Sequence, residues 1–277
     1  MLWMPVAFLS EFGFGQLFKV AQRRGCHSPA VVTANYLVLA GLLCVYFLLR
    51  GGLGLGAAHF KVGCTAGTVF IVAMLLMTRA LARCHVGTVL TAFRMAILVP
   101  VFASVLLWGE TASPGQWVGV GLALAALGLM TGGGPGRGAL DWRTLGAVLA
   151  VFLGQGSSMT CLRWVKYAGL GGDLPRVLLV VGATAGAWGL LFLLATRYRP
   201  RRADLGMGAL IGTYNLLALL VLLTALERVP GTLFFPLLGC TVVALDNLCA
   251  HFVWRERLSR RSVLGVCLAV GAVLLAL

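Results

Sequence analysis

Charged residues are scarce in this sequence, and acidic residues are scarcer still. Asp, Glu, Lys and Arg make up 11% of the 277 residues, and Asp and Glu together number only 8. Soluble domains usually contain roughly 25% charged residues, and no polar stretch here is long enough to enclose a core. With 60% hydrophobic residues and a mean hydropathy of +0.97, the chain is expected to be a multi-pass integral membrane protein.

The sequence also lacks the patterns that mark metal, nucleotide and nucleic-acid sites. Its 8 cysteines are scattered singly, which predicts neither a zinc site nor a disulfide framework. GGLGLG at 51–56 has no strand–turn–helix context for dinucleotide binding, and there is no ATP-binding motif. We therefore expect no metal, no cofactor and no enzymatic activity. The net charge of +14 lies in short clusters between apolar runs, which indicates contact with anionic lipid headgroups and not with nucleic acid.

Long apolar runs dominate the rest of the chain. An α-helix needs about 20 apolar residues to cross a bilayer, and ten runs are candidates. The predicted fold is therefore an all-α polytopic membrane protein with ten transmembrane helices. The predicted spans are Leu2–Ala21, Ala30–Leu49, Val62–Ala82, Val86–Leu107, Gly115–Met130, Leu145–Trp164, Val177–Thr196, Leu205–Leu226, Gly231–Val253 and Ser262–Leu277.

The ten spans divide into two similar halves. WGETASPGQWVGVGLALAALGLM at 108–130 aligns with WRERLSRRSVLGVCLAVGAVLLA at 254–276, and the two share a Trp-x-Glu-x-x-Ser corner. Residues 1–131 are predicted to form one five-helix repeat, 132–143 a glycine-rich linker, and 144–277 the second repeat. Because each half has an odd number of helices, the halves enter the membrane in opposite orientations. This inverted-repeat plan is typical of many secondary transporters.

Most Lys and Arg residues lie in the connections between spans 1–2, 3–4, 5–6, 7–8 and 9–10. These connections share one membrane face, which we call the basic side. Basic loops usually face the cytoplasm, so the charge distribution predicts that both termini lie outside.

The two Trp-x-Glu corners resemble those of the drug/metabolite transporter superfamily, in particular its ten-helix permeases with paired EamA-type domains. Each half has an Ala-Leu turn, a helix with a proline (Pro100, Pro236), a Glu corner and a glycine-bearing last helix. FLSEFGFGQLFK also resembles the first helix of small multidrug resistance proteins, whose intramembrane Glu implies a proton or cation site at Glu11. The sequence departs from both groups. The well-studied ten-helix members keep both termini cytoplasmic, and the second copy of the Glu is Gln155 here.

Three ionisable residues lie inside the predicted spans, where charge is costly unless it faces a partner or water. Glu11, Arg94 and Asp246 are each expected roughly 12–15 Å from the basic side, at one level. We interpret them as substrate- or proton-binding candidates in a pocket between the halves. Desolvation favours the protonated form of such a carboxylate, so Glu11 could exchange a proton for substrate. The alternative is a structural Glu11 bonded to polar neighbours or to Arg94.

Two interpretations of Arg94 and Asp246 stay open. Arg94 binds an anionic substrate group while Asp246 holds it in place, or the two form a permanent buried ion pair. Gln155, Tyr214 and Asn215 are further lining candidates, with Asn35 and Tyr36, and the alternative for all five is hydrogen bonding between helices. The Gly182-x-x-x-Gly186 and Gly208-x-x-x-Gly212 pairs predict close helix packing. Glu110 and Glu256 lie at helix ends, where capping or hinge roles are expected.

The sequence thus predicts a secondary transporter that moves a small organic solute by alternating access, with proton coupling through Glu11. An amino acid, a related metabolite or a cationic drug would suit the site. The alternative function is a flippase for a lipid-linked substrate, or a membrane subunit without transport of its own. The expected location is a bacterial inner membrane, with the protein as a monomer or homodimer.

Overall fold

A computed structural model describes residues 3–83, 96–111 and 142–253, with scattered positions between 84 and 125 and between 263 and 271. The described residues are almost entirely helical and include no strand, which confirms the all-α prediction. In chain order the helices are α1 (Trp3–Arg23), α2 (Ser28–Leu49), α3 (Ala57–Arg83), α4 (Leu98–Trp108), α5 (Trp142–Tyr167), α6 (Leu174–Ala195), α7 (Arg202–Arg228) and α8 (Gly231–Phe252).

Five of the described segments are long and apolar enough to cross a membrane. They are Ser28–Leu49, Ala57–Met77, Leu145–Tyr167, Gly171–Ala195 and Arg202–Arg228. The chain is therefore an integral membrane protein. Arg94 and most of the predicted spans Gly115–Met130 and Ser262–Leu277 lie outside the described residues. Trp142 and Arg143, which the sequence assigns to the linker, are the first residues of α5.

Glycine ends several helices because the chain there turns through the left-handed backbone region. Gly25, Gly109 and Gly169 have φ values of 68°, 63° and 72°, which glycine adopts without steric cost. Arg197, just after α6, has φ 52° and is the one non-glycine residue with positive φ in the described part of the chain. This conformation costs an L-residue about 1–2 kcal/mol, so the backbone alone does not favour arginine at this turn.

Most helix contacts join the first predicted half to the second. α2 packs between α6 and α7, and α3 packs against α5 and α6. α1 packs against α7 and α8, while α4 packs against α5 and α8. The predicted role of the glycine pairs is confirmed at these contacts. A Cβ at Gly212 would lie 2.6 Å from the Asn35 carbonyl oxygen, and a Cβ at Gly182 would lie 3.1 Å from that of Tyr36.

Candidate functional site

Glu11 lies on α1, the helix that packs against α7 and α8 of the second half. Its side chain is partly exposed and lies within electrostatic range of two tyrosine hydroxyls, those of Tyr36 on α2 and Tyr214 on α7. The Tyr214 hydroxyl lies directly against the backbone of Gly13, where any Cβ would collide with it. Glycine at position 13 therefore admits the tyrosine next to Glu11, and the three polar groups share one neighbourhood.

Asp246 lies on α8 and is bound from α1. Gln16 Nε2 donates to Asp246 Oδ1 at 2.8 Å, and Cys249 Sγ lies 3.4 Å from Gln16 Oε1. Gln16 is five positions along α1 from Glu11, which corresponds to roughly 7.5 Å. Gln16, which binds Asp246, thus lies nearer the basic end of α1 than Glu11 does. The single level expected for Glu11, Arg94 and Asp246 stays a prediction.

The predicted partner of Asp246, Arg94, lies outside the described residues, so their pairing stays a prediction. Gln155 is a partly buried residue of α5. Its neighbours Gly154 and Gly156 pack closely on Ala73 of α3 and on Val99 of α4, which places Gln155 where three helices meet.

Asn35 and Asn215 bind each other. Asn215 Nδ2 donates to Asn35 Oδ1 at 3.1 Å. Asn215 is 4% exposed and Asn35 is 1% exposed. Each amide thus faces the other helix, α2 or α7, inside the packed interface. This geometry matches the interhelical hydrogen bond that the sequence leaves open as the alternative to substrate contact.

A second polar cluster lies at the side of the membrane opposite the basic side, and its centre is Arg163. This arginine on α5 is 1% exposed. Its Nε donates to Glu110 Oε1 at 2.7 Å, and a second guanidinium nitrogen also contacts that oxygen. The remaining donor, Nη1, binds the carbonyl oxygens of Leu226 and of Val229, the latter at 2.8 Å. Arg163 therefore satisfies backbone acceptors at the end of α7 that have no partner within the helix.

Glu110 completes this cluster from the Trp-x-Glu corner. Gly109 adopts the left-handed conformation, and the Glu110 N–H donates back to the Ser104 carbonyl at 3.1 Å, which is a Schellman-type helix end. The Thr232 N–H at the start of α8 donates to Glu110 Oε2 at 3.1 Å, which fits capping, one of the two roles expected of Glu110. The Tyr167 hydroxyl donates to Oε1 at 2.8 Å, and its ring stacks on Trp108 with centroids 4.7 Å apart.

The electrostatics of the corner follow from these contacts. Burial raises the pKa of the Glu110 carboxyl, but hydrogen bonds from Arg163 and the other donors outweigh burial. The net pKa lies below its ordinary value, so Glu110 stays ionised opposite Arg163. The sequence carries no signal for this pair, because an arginine near the end of an apolar run is typical of a loop cation.

A third cluster ties the α1–α2 turn to the α6–α7 connection on the basic side. Asp204 is 1% exposed and accepts from the backbone N–H groups of His27 and Arg201, each at 2.9 Å. His27 binds Oδ1, whereas the Tyr198 hydroxyl donates at 3.0 Å to Oδ2, the oxygen that also accepts from Arg201. The Tyr198 ring stacks on His27 with centroids 3.8 Å apart. Burial lowers the pKa of His27, because desolvation disfavours the charged imidazolium.

No set of three or more His, Cys, Asp or Glu side chains in the described part of the chain could hold a metal ion. The polar groups of the three clusters are carboxylates, amides, tyrosine hydroxyls, the His27 imidazole and the Arg163 guanidinium. Such groups can bind a small polar solute or a proton, and they can also hold helices together.

No protein-family model matches the sequence. The chain is 23% identical over 278 residues to an uncharacterized protein of Haemophilus influenzae, covering 96% of this chain and 94% of that protein. It is 44% identical over 59 residues to the probable 4-amino-4-deoxy-L-arabinose-phosphoundecaprenol flippase subunit ArnE of Pseudomonas fluorescens. That match covers 21% of this chain and 51% of ArnE. One crystal structure of a protein superposes with a TM-score of 0.82 at 16% identity, covering 99% of this chain and 95% of the other, which shows a shared fold.

Proposed function

We propose that this membrane protein is a secondary transporter of the drug/metabolite type, which moves a small organic solute by alternating access. The observation that carries the proposal is the position of Glu11. Its carboxyl lies within electrostatic range of Tyr36 in one predicted half and of Tyr214 in the other, and the Tyr214 hydroxyl packs on Gly13 two positions away, so a solute or proton bound there would contact both halves. Intramembrane carboxylates of this kind mark substrate and proton pathways in transporters.

The pairing of helices supports two inverted repeats. In an inverted repeat, α1, α2, α3 and α4 correspond to α5, α6, α7 and α8 respectively. Exchanging each helix with its counterpart turns the α1–α7 contact into the α5–α3 contact. It also turns the α2–α7 contact into the α6–α3 contact. It also converts α1–α8 into α5–α4, and all of these contacts occur. The α2–α6 and α4–α8 contacts map onto themselves. An arrangement with this symmetry can rock about a central site and expose it to either side in turn.

Reconstitution of the purified protein into liposomes tests the proposal. Candidate solutes are first found by thermal shift, since a ligand stabilises the form that binds it. Uptake of each solute that shifts the unfolding temperature is then measured with and without a pH gradient.

We expect Glu11→Gln to abolish pH-driven uptake and to remove the thermal shift while leaving the variant folded. Glu227→Gln, at the exposed end of α7, is the matched control and should keep both. Uptake by Glu11→Gln equal to that of the parent protein would overturn the assigned role.

A flippase for a lipid-linked substrate is the second candidate, and the partial match to ArnE favours it. The two functions differ in what crosses the membrane. In the same liposomes, a flippase would move the fluorescent headgroup of a polyprenyl-phosphate sugar between leaflets and would show no uptake of soluble solutes. A secondary transporter would show the reverse result.

A further inference from the structure

Five exposed arginines gather around the Asp204 cluster. Arg24 follows α1, while Arg197, Arg199, Arg201 and Arg202 lie in the α6–α7 connection and at the start of α7. We call these five residues the arginine platform. The two segments are adjacent in space, because the His27 N–H and Asp204 bind each other and Cys26 Sγ lies 3.9 Å from the Ala203 carbonyl oxygen.

The platform carries strong positive charge without an exposed acid of its own. Asp204 is the sole acidic residue in residues 19–29 and 195–205. Its carboxylate is 1% exposed, and both oxygens accept hydrogen bonds from His27, Tyr198 or Arg201. The one acid of these two segments is therefore buried beneath the platform, where it holds the backbone and does not cover the guanidinium groups.

The backbone under the platform is fixed and not a loose loop. The stack of His27 on Tyr198 and the three hydrogen bonds of Asp204 join the two segments. Arg197 occupies a left-handed turn, φ 52°, while every other described residue with positive φ is glycine. Glycine would suit this turn better, so what arginine adds there is its side chain.

The depth of the platform indicates its partner. Leu194 is 72% exposed, three positions before Arg197, and Leu205 is 49% exposed, three positions after Arg202. Leucines so exposed on membrane-spanning helices contact lipid chains, which places the adjacent arginines at the headgroup level. Guanidinium groups present planar pairs of donors that match phosphate oxygens, and basic clusters next to spans attract anionic lipids.

We propose that the arginine platform is a binding site for the phosphate groups of anionic phospholipid headgroups. The site holds the end of α1 and the start of α7 together against the membrane surface. It is separate from the transport site at Glu11 and does not depend on it.

The experiment uses the purified full-length protein in micelles to which phosphatidylglycerol or phosphatidylcholine is added. Thermal unfolding is measured in each lipid, and bound lipids are counted by native mass spectrometry. We expect phosphatidylglycerol to raise the unfolding temperature more than phosphatidylcholine does, with one or more tightly bound phosphatidylglycerol molecules. Arg197→Gly should keep or raise the unfolding temperature in phosphatidylcholine, because it relieves the turn, and should lose at least half of the added shift with phosphatidylglycerol. The double variant Arg199→Gln/Arg202→Gln should lose most of it.

The control is Lys61→Gln, an exposed cation on α3 near the opposite side, which should keep the full shift. An equal loss in Lys61→Gln, or an unchanged shift in Arg197→Gly and in the double variant, would overturn the site. A last measurement replaces the lipid with soluble glycerol phosphate. A shift with millimolar glycerol phosphate as large as that with phosphatidylglycerol would also overturn it, because the site would then recognise a free phosphate compound.

Discussion

Arg163 donates through Nε to Glu110 Oε1 at 2.7 Å, which joins the Trp-x-Glu corner to α5 across 53 positions of sequence. The guanidinium is almost entirely removed from solvent, and the carboxylate is 7% exposed. Ion pairs at such depth are expensive to break, since one partner left alone is a buried, unpaired charge. The pair therefore fixes the end of α4 relative to α5 and to the turn between α7 and α8.

We expect Glu110→Gln to destabilise the protein by about 3–5 kcal/mol, the usual cost of breaking a buried pair from one side. Chemical unfolding in detergent micelles measures this change. The double variant Glu110→Gln/Arg163→Gln should be less unstable than the sum of the single variants, because the residues share one network. Strict additivity of the three values would contradict the pairing.

Gly13 and Gly15 provide a matched pair on α1. A Cβ at Gly13 would collide with the Tyr214 hydroxyl, whereas nothing lies within 4 Å of a Cβ at Gly15. Gly13→Ala should cost about 1–3 kcal/mol through overpacking, while Gly15→Ala should stabilise the helix by about 0.5–1 kcal/mol. Adding Tyr214→Phe to Gly13→Ala should recover part of the loss, because it removes the nearest atom. Equal effects of the two alanine variants would show that Tyr214 lies elsewhere.

The Asn35–Asn215 hydrogen bond predicts a modest effect on stability and none on transport. Interhelical hydrogen bonds in membrane proteins contribute about 0.6 kcal/mol on average and up to about 1.7 kcal/mol. Asn35→Ala, Asn215→Ala and the double variant form a cycle that isolates this value by unfolding in micelles. A loss of uptake larger than the loss of folded protein would instead place the two amides in the substrate path.

His27 gives the protein a dependence on pH that acts through stability. Burial and the charge of Arg201 lower its pKa from 6.5, and Asp204 opposes them only in part. The unfolded chain therefore binds a proton first as the pH falls below 6.5, and folding stability is lost in that range. The unfolding temperature should fall on acidification from pH 7.5 to 5, and His27→Gln should reduce that fall. A variant with the parent's pH profile would show that His27 is not the group responsible.

The fold class could be predicted from the sequence because apolar run length reports directly on membrane spans. The helices found at 28–49 and 231–252 begin or end within two residues of their predicted spans. Where helices extend further, as α3 does by starting at Ala57 and not at Val62, the added residues include His59 and Lys61, which interrupt the apolar run. Helical hydrogen bonding continues there, but hydropathy does not report it.

Individual side-chain contacts were harder to predict. The capping role of Glu110 follows from its place after an apolar helix. Its partner Arg163 could not be identified, because a single arginine near a span end looks like a loop cation until the fold surrounds it. Likewise, the sequence shows that Gln16 and Asp246 are polar but not which face of α1 or α8 each side chain occupies. Those faces determine that the two side chains form a hydrogen bond.

The clusters at the two membrane faces differ in what their separation would expose. On the basic side, Asp204 would exchange hydrogen bonds from neutral groups for bonds to water. On the opposite side, rocking of the halves would pull the Glu110 carboxylate from a guanidinium that has no access to water. Under the proposed function, opening toward the basic side is then the cheaper movement. The proposed transporter would rest open to that side until bound solute offsets the separation of Glu110 from Arg163.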